Sequence, residues 1–495
     1  MRASGIPVFL SGEPYAHRAK YAAALARALR FSGVKVEIMR ASEITTVVKH
    51  DLSAPHDIAV INVLAEEIPA MIEHGMLLPV SVLVPDASLR TLHPLSAIFA
   101  SGGKQYAIPK NIACGLFFAR RDILDRYGFD IPRTWDELVR FGREIRKNRK
   151  GPVLALRGKN GWAQTFLEYY WSNGGSLLSE DGAMAFDAPR AQGVLSFLSD
   201  LVHIHKLMPR AFVTRESWKT PEDITDGRLV FAQASSDALP KLAERYRASF
   251  EERFKIGLCP IGPAGTNAAT YIEGSCFAVP RTTAHPRAAR DVLRFFCDRN
   301  RSGNFDTHWL HPFPRYAMPF AELASFPWYV RRGCQLLADA RIPQHDMPLA
   351  PGIAGIIESA VISCLDRSAT PADAASAIAR ALTRSIGRRY SSPVARAVTH
   401  IRTNFSKQIS LADIARISGL TRAHLTRLFT RETGMSPGRY RTDVRIRHAE
   451  RLLEGGATAA HTAAASGFSD AKYFFRAFKR ATGKTPASYR RSRRA

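Results

Sequence analysis

The chain holds 495 residues, 46% of them hydrophobic, and carries a formal net charge of +26. That length exceeds what one hydrophobic core supports, and that composition excludes a disordered chain. No apolar run reaches the ~20 residues of a membrane-spanning helix, which excludes a helical membrane protein, and the excess of cations suits a polyanionic partner.

The opening residues, MRASGIPVFLSGEPY, offer only the four-residue apolar run Pro7 to Leu10. That is too short for the core of an export signal, and no lipid-attachment cysteine lies near, so a cytoplasmic location is expected. Tyr15 to Phe31 reads as an amphipathic helix, Val34 to Met39 as a strand and Asp57 to Val63 as a buried strand. The paired carboxylates Glu66-Glu67 and Glu251-Glu252 read as solvated helix faces. Thr134 and Glu137 form a capping box, with Trp135 packing at the helix start. His203 and His205, two apart on a helix, point away from each other and make no metal pair. Strand patterns return at Phe254 to Cys259 and Cys276 to Val279, completing an α/β rhythm. The six cysteines lack any C-x-x-C spacing and read as reduced, mostly buried thiols. No nucleophile elbow, phosphate loop, dinucleotide fingerprint or metal-spaced His/Cys set occurs, so no enzyme, cofactor or metal is expected.

Several of these segments resemble family 1 solute-binding proteins of sugar ABC transporters. They are MIEHGMLLPVS, GGKQYAIPKNIACGLFFARRDILDRYGFD with IPRTWDELVRFGREIRK, WSNGGSLLSEDG, YIEGSCFAVP with AHPRAARDVLRFFCD, and SATPADAASAIARAL. The resemblance implies a two-lobed, type II periplasmic-binding-protein-like sensor over residues 1–388, hinged near 108–115 and closing on a small solute. Sugar C–H faces stack on aromatic rings and sugar hydroxyls need polar partners. The aromatic candidates are therefore Tyr106, Trp162, Trp171, Trp218, Tyr271 and Trp309. The polar ones are Asn111, Asp237, Glu273 and the backbone near Gly274. The residual positive balance of this region points toward an acidic sugar or another anion.

Residues 385–393, SIGRRYSSP, read as a short linker because Gly and Pro break a charged run. Beyond it, SLADIARISGLTRAHLTRLFTRETGMSPGRY (Ser410 to Tyr440) is repeated by TAAHTAAASGFSDAKYFFRAFKRATGKTPASY (Thr458 to Tyr489). Ser410, Thr421 and Ser469 read as helix caps, and Gly419 as the left-handed turn. Leu411, Ile414 and Ala415 form one buried stripe, Leu425, Leu428 and Phe429 a second, and Tyr473, Phe474 and Phe478 a third. The units are a helix-turn-helix over 410–434, a connecting helix over 439–454 and a second helix-turn-helix over 458–483. The first helix of the second copy, TAAHTAAAS, buries less apolar surface and is expected to pack more loosely.

This all-α region, 394–495, resembles the AraC/XylS transcription regulators over residues 393–491. The resemblance implies that both second helices enter successive major grooves. Bases would be read from Ala423, Thr426 and Arg427 in one copy and from Lys472, Phe475 and Arg476 in the other. An arginine can pair with both acceptors of a guanine edge, and a phenylalanine can pack on a thymine methyl. Phosphate contacts are expected from Arg422, Arg431, Lys479, Arg480 and Lys484. Residues 391–495 hold 21 Lys/Arg against 6 Asp/Glu, as a DNA-binding segment needs.

The combined expectation is a cytoplasmic transcription regulator, an activator by the habit of the resembled family. Its partners would be double-stranded promoter DNA, RNA polymerase and a sugar-like effector, with no membrane partner. No heptad run exists, so a homodimer would have to form through the lobes. The alternatives are a solute-binding component of an ABC transporter, or a regulator whose empty cleft serves protein–protein contacts.

Overall fold

A computed structural model describes residues 6–10, 34–38, 58–298 (less 74, 90–91, 93–95, 97–98, 102–103, 180–183 and 227), 326–343 and 350–491 (less 390–391, 434, 455–456 and 483–484). The helix expected over Tyr15 to Phe31 lies outside them. Two compact units divide the chain between Leu382 and Thr383, apart from residues 178–184, which group with the second unit.

The first unit is α/β. Strands β1 (Ile6–Leu10) and β2 (Val34–Ile38) run parallel, as do β1 and β3 (Val60–Leu64). The strand β4 (Ala107–Arg120) is fourteen residues long and buried at all but its last position. Its mostly apolar sequence, interrupted by the buried Lys110 and Asn111, suits a strand covered on both faces. Further strands are β5 (Leu154–Ala155), β6 (Phe231–Ser235), β7 (Phe254–Gly257) and β8 (Ile272–Pro280), and the two-residue strand Leu77–Leu78 pairs with the end of β8. The sheet runs β2-β1-β3-β8-β4-β6-β5, with β7 also on β4.

Strand β4 changes partner within its length. Ala107 to Cys114 pair with β8, whereas Gly115 to Ala119 pair with β6. One continuous strand therefore crosses between two lobes. On the first lobe, α4 (Pro286–Cys297) buries Ala289, Val292, Leu293 and Phe296 against Val60, Ile108 and Phe277. The second lobe carries α1 (Trp135–Lys147), α2 (Trp162–Ser172) and α3 (Ala188–His203). Trp135 is buried as expected, its ring 4.1 Å from Phe197 of α3 and its indole N–H donating to Pro260 O at 3.1 Å. Helix α5 (Ala350–Leu365) packs against α2, and α6 (Pro371–Arg389) follows it. His203 bonds the Leu365 carbonyl and His205 bonds Arg143, so the two histidines part as expected.

The 385–393 segment is helical over most of its length, because α6 continues to Arg389 and α7 (Ser392–Thr403) starts three residues later. A lone Gly387 does not end a helix, and Pro393 sits in the first turn, where its missing N–H costs nothing.

The second unit is all-α. After α7 come α8 (Leu411–Ser418), α9 (Arg422–Thr433), α10 (Pro437–Glu454), α11 (Ala459–Ala465), α12 (Ala471–Thr482) and α13 (Pro486–Arg491). Ser410 and Asp413 make the reciprocal cap at 3.1 Å each way, and Gly419 takes the left-handed turn with φ 70°. Thr421 caps α9. The cap of α12 is Asp470, which accepts from Lys472 N at 2.8 Å, and not Ser469. The one-residue insertion between the copies moves the cap one place along.

Candidate functional site

In the first unit the chemistry gathers where β4 changes partner. Gly115 has no side chain there, and a Cβ would stand 1.7 Å from Glu168 Oε1 and 2.6 Å from Arg157 Nη2. The glycine thus makes room for a buried ion pair on the crossing strand. Arg157, just after β5, donates to Glu168 of α2 at 3.3 Å and pairs with Glu273 of β8. Glu168 also accepts from the Gln233 amide of β6 and from Tyr271 N at 3.1 Å. Burial pushes the Glu168 carboxyl up to about 6, although Arg157 opposes it. Burial works against the Arg157 charge too, but Glu273 and Glu168 outweigh it and keep the guanidinium ionised. Burial thus raises the acid of this network, while its two carboxylates raise the base.

Around this network stand groups that can meet a solute. The Tyr271 ring lies parallel to Trp171 at 6.0 Å, and its hydroxyl reaches Glu66 Oε2 at 3.4 Å. The Glu66 carboxyl is raised by burial, with Glu273 and Glu67 adding to it. Asp237 keeps surface exposed to solvent and does not cap the helix it precedes, yet desolvation, and then Glu273, push its carboxyl up to about 6. Lys110, Lys241 and Arg157 pull Asp237 the other way.

Tyr271, Glu273 and Asp237 therefore come together, joined by Glu66, Arg157, Glu168, Lys110 and Gln233, which sequence reasoning missed. Glu66 is not the solvated carboxylate expected, because Tyr271, 205 positions away, lies over it. Glu251 and Glu252 are exposed, as expected. Glu168 did leave a signal, a single acid inside the run TFLEYYW.

Other candidates are committed elsewhere. Trp162 and Trp171 are wholly buried, and Trp162 donates its N–H to Val213 O at 2.8 Å, so both pack the lobe instead of facing a solute. Asn111 Oδ1 accepts from Ser275 N at 2.8 Å and Ser275 Oγ at 2.7 Å, beside the bulge at Ser275/Cys276. The Gly274 backbone is tied up with it, since a Cβ there would stand 2.4 Å from Asn111 O. Tyr106 is half-buried against the first-lobe core. Trp218 lies in the short helix Ser217–Lys219, and Trp309 lies outside the described residues. The carboxylates gather here with the cations Arg157, Lys110 and Lys241. Carboxylates accept hydrogen bonds from hydroxyls and repel anions.

In the second unit the two second helices have the same design. Leu425 and Phe429 bury one face of α9, while Arg422, Ala423, Arg427 and Arg431 are exposed. Phe474 and Phe478 bury one face of α12, while Lys472, Arg476, Lys479 and Arg480 are exposed. Phe475 stays 40% exposed on that polar face, with its ring set edge-on to Phe474 at 5.6 Å. Thr426 is half-buried and donates its hydroxyl to Arg422 O at 2.9 Å. Lys484 lies outside the described residues. Two expected core residues are not core. Tyr473, one step off the buried stripe, is 46% exposed, and Leu411, in the first turn of α8, is 39% exposed.

Residues 16–297 match the family of bacterial extracellular solute-binding proteins, and residues 414–492 match a helix-turn-helix domain. A probable ABC transporter-binding protein of Deinococcus radiodurans is 29% identical over 237 residues, 44% of this chain and 54% of its own. The lactose operon transcription activator of Staphylococcus xylosus is 44% identical over 57 residues, 12% of this chain and 20% of its own. The chain thus spans about half the length of the first relative and a fifth of the second. Maltose-bound T. maritima MalE3 superposes with a TM-score of 0.63 at 20% identity, covering 76% of this chain and 99% of that one. At that identity the likeness is one of fold. No helix among the described residues is long and apolar enough to cross a membrane.

Proposed function

Since the chain belongs to the family of bacterial extracellular solute-binding proteins and ends in an AraC-type helix-turn-helix domain, we propose that it is a transcription regulator whose hold on promoter DNA is set by a small solute. The observation that carries this is the coexistence of a two-lobed solute-binding fold and two basic recognition faces in one chain. The solute is a neutral, hydroxyl-rich molecule of the sugar class. It sits against Tyr271 and gives its hydroxyl hydrogens to Asp237, Glu273 and Glu66. The DNA is read by Ala423, Thr426 and Arg427 in one groove and by Lys472, Phe475 and Arg476 in the next. Arg422, Arg431, Lys479 and Arg480 lie on phosphates, with Lys484 assigned to the same task.

The protein acts where the DNA is, in the cytoplasm, and as an activator that brings RNA polymerase to the promoter. Solute binding biases the protein toward one global state, which requires that the two states differ in affinity for it. Footprinting of the full chain on its own upstream region, with and without a panel of neutral sugars, polyols and sugar acids, tests this. We expect protection of two successive major-groove segments and a solute-dependent change in occupancy. Protection indifferent to every solute would end the sensing half of the proposal. Absence of any protection at low salt would end all of it.

A further inference from the structure

The two helix-turn-helix units have separate cores strung on one helix. Tyr440 and Val444, near the start of α10, belong to the first core with Ile414, Leu425 and Phe429. Ile446, Ala449 and Leu453, further along, belong to the second with Ala463, Phe474 and Phe478. A shared helix fixes how far apart two such units are. It does not by itself fix how each leans about the helix axis.

A polar clamp spans the junction. The loop Phe405 to Ile409 precedes α8, and Phe405 and Ile409 pack on the first core. Arg445 of α10 is 6% exposed and donates to two carbonyls of that loop, Phe405 O at 2.6 Å and Lys407 O at 3.0 Å. Arg441, one turn earlier, donates to Ile409 O. The Phe405 ring lies 4.9 Å from His448, which bonds Ser466 Oγ at 3.1 Å in the turn of the second unit. The Arg445 guanidinium also stands 5.6 Å above the Phe468 ring, at the edge of the second core. In the same turn Gly467 has φ 79°, and a Cβ there would stand 2.5 Å from the Ser406 backbone. The first unit's loop is therefore held between α10 and the second unit's turn at backbone distance.

We propose that Arg445 is a positioning residue which, with Arg441, locks the angular register of the two recognition helices and so sets the spacing of the two DNA segments the protein accepts. Its planar fork suits this task, because two donors in fixed geometry grip two carbonyls of one loop as a single ammonium cannot. The inference rests on the DNA-binding reading above, but predicts something that reading leaves open, namely intolerance of altered spacing.

The test uses the full chain and a duplex selected by it from a randomised pool. A single base pair is then inserted between the two contacted segments, which moves one by about 3.4 Å and turns it by roughly 35°. Wild type is expected to lose tenfold or more in affinity on the insertion. Arg445→Met and Arg441→Met are expected to lose less than threefold, while binding the undisturbed duplex within tenfold of wild type. Arg445→Lys, which keeps one donor, should fall between. A general loss of folding would weaken both duplexes alike, whereas loss of register changes their ratio. Variants that keep the wild-type penalty, or a wild type that tolerates the insertion, overturn the inference and leave DNA binding intact. Selection of no duplex at all would instead remove the reading on which the inference stands.

Discussion

At the scale of single residues, the candidate solute site is a set of carboxyls whose titration has been moved. Asp237 is pushed up to about 6 by burial and by Glu273, and Glu66 is raised by burial and by the same neighbour. A solute hydroxyl donates to a carboxylate but finds a weaker acceptor in the neutral acid. Binding should therefore release protons. Affinity should strengthen as pH rises through 6, level off above about 7, and weaken by up to about tenfold per pH unit below 6. Asp237→Asn should flatten that profile, leaving a shallower slope from Glu66. It should also lower affinity at pH 7.5 by about 10- to 100-fold, as expected for a lost charge-assisted hydrogen bond. Calorimetric titration from pH 5 to 8 checks both, and an unchanged slope in the variant would remove Asp237 from the site. Unliganded stability runs the opposite way. Glu168, also held up to about 6 but within the protein, binds its proton more tightly folded than unfolded, so this contribution is present in acid and lost as pH climbs toward 6. Little of this was legible in the sequence. Glu66-Glu67 looks solvated locally, and only the fold lays Tyr271 over it.

Among elements, the second copy of the helix-turn-helix is the weaker build. Helix α11 offers Thr462 and Ala463 to its core where the first copy offers Ile414 and Ala415. Thr462 Oγ1 is buried with no hydrogen-bond partner among the described residues. Phe474 and Phe478 of α12 compensate, each fully buried ring contributing about 1.5–3 kcal/mol. Thr462→Val keeps the shape and removes the orphan hydroxyl, so it should stabilise the unit by about 1 kcal/mol. In a unit of this size that raises Tm by roughly 4–8 °C. The helical transition of the full chain, followed by circular dichroism, measures the shift, and a fall in Tm would mean the hydroxyl has a partner after all. Elements were the most legible level. Ser410, Thr421 and Gly419 were read correctly because caps and turns depend on chemistry within four residues. Ser469 was misplaced because it aligns with Thr421 at an offset of 48, whereas the helix that follows keeps an offset of 49 and so starts from Asp470. Residues 385–393 are mostly helical, because the helix-forming run around Gly387 and Pro393 outweighs them.

For the whole molecule, the proposed regulation has cations and solute act on different terms of one equilibrium. Each phosphate neutralised by Lys or Arg releases counterions and steepens the dependence of log K on log salt by about 0.9. Lys479 and Arg480 sit exposed in the last turns of α12. Replacing both by Gln should therefore flatten the slope by about two while leaving the preference among duplex sequences unchanged. A solute that changes only the fraction of molecules competent to bind scales the apparent Kd by that fraction. It should move the whole line of log K against log salt up or down without changing its slope. Filter binding of the selected duplex between 50 and 300 mM salt, with and without saturating solute, separates the two effects. Parallel lines are expected for solute and converging lines for the Gln pair. A solute that altered the slope instead would show that it adds or withdraws phosphate contacts, and gating by population would have to be abandoned for direct remodelling of the DNA-facing surface.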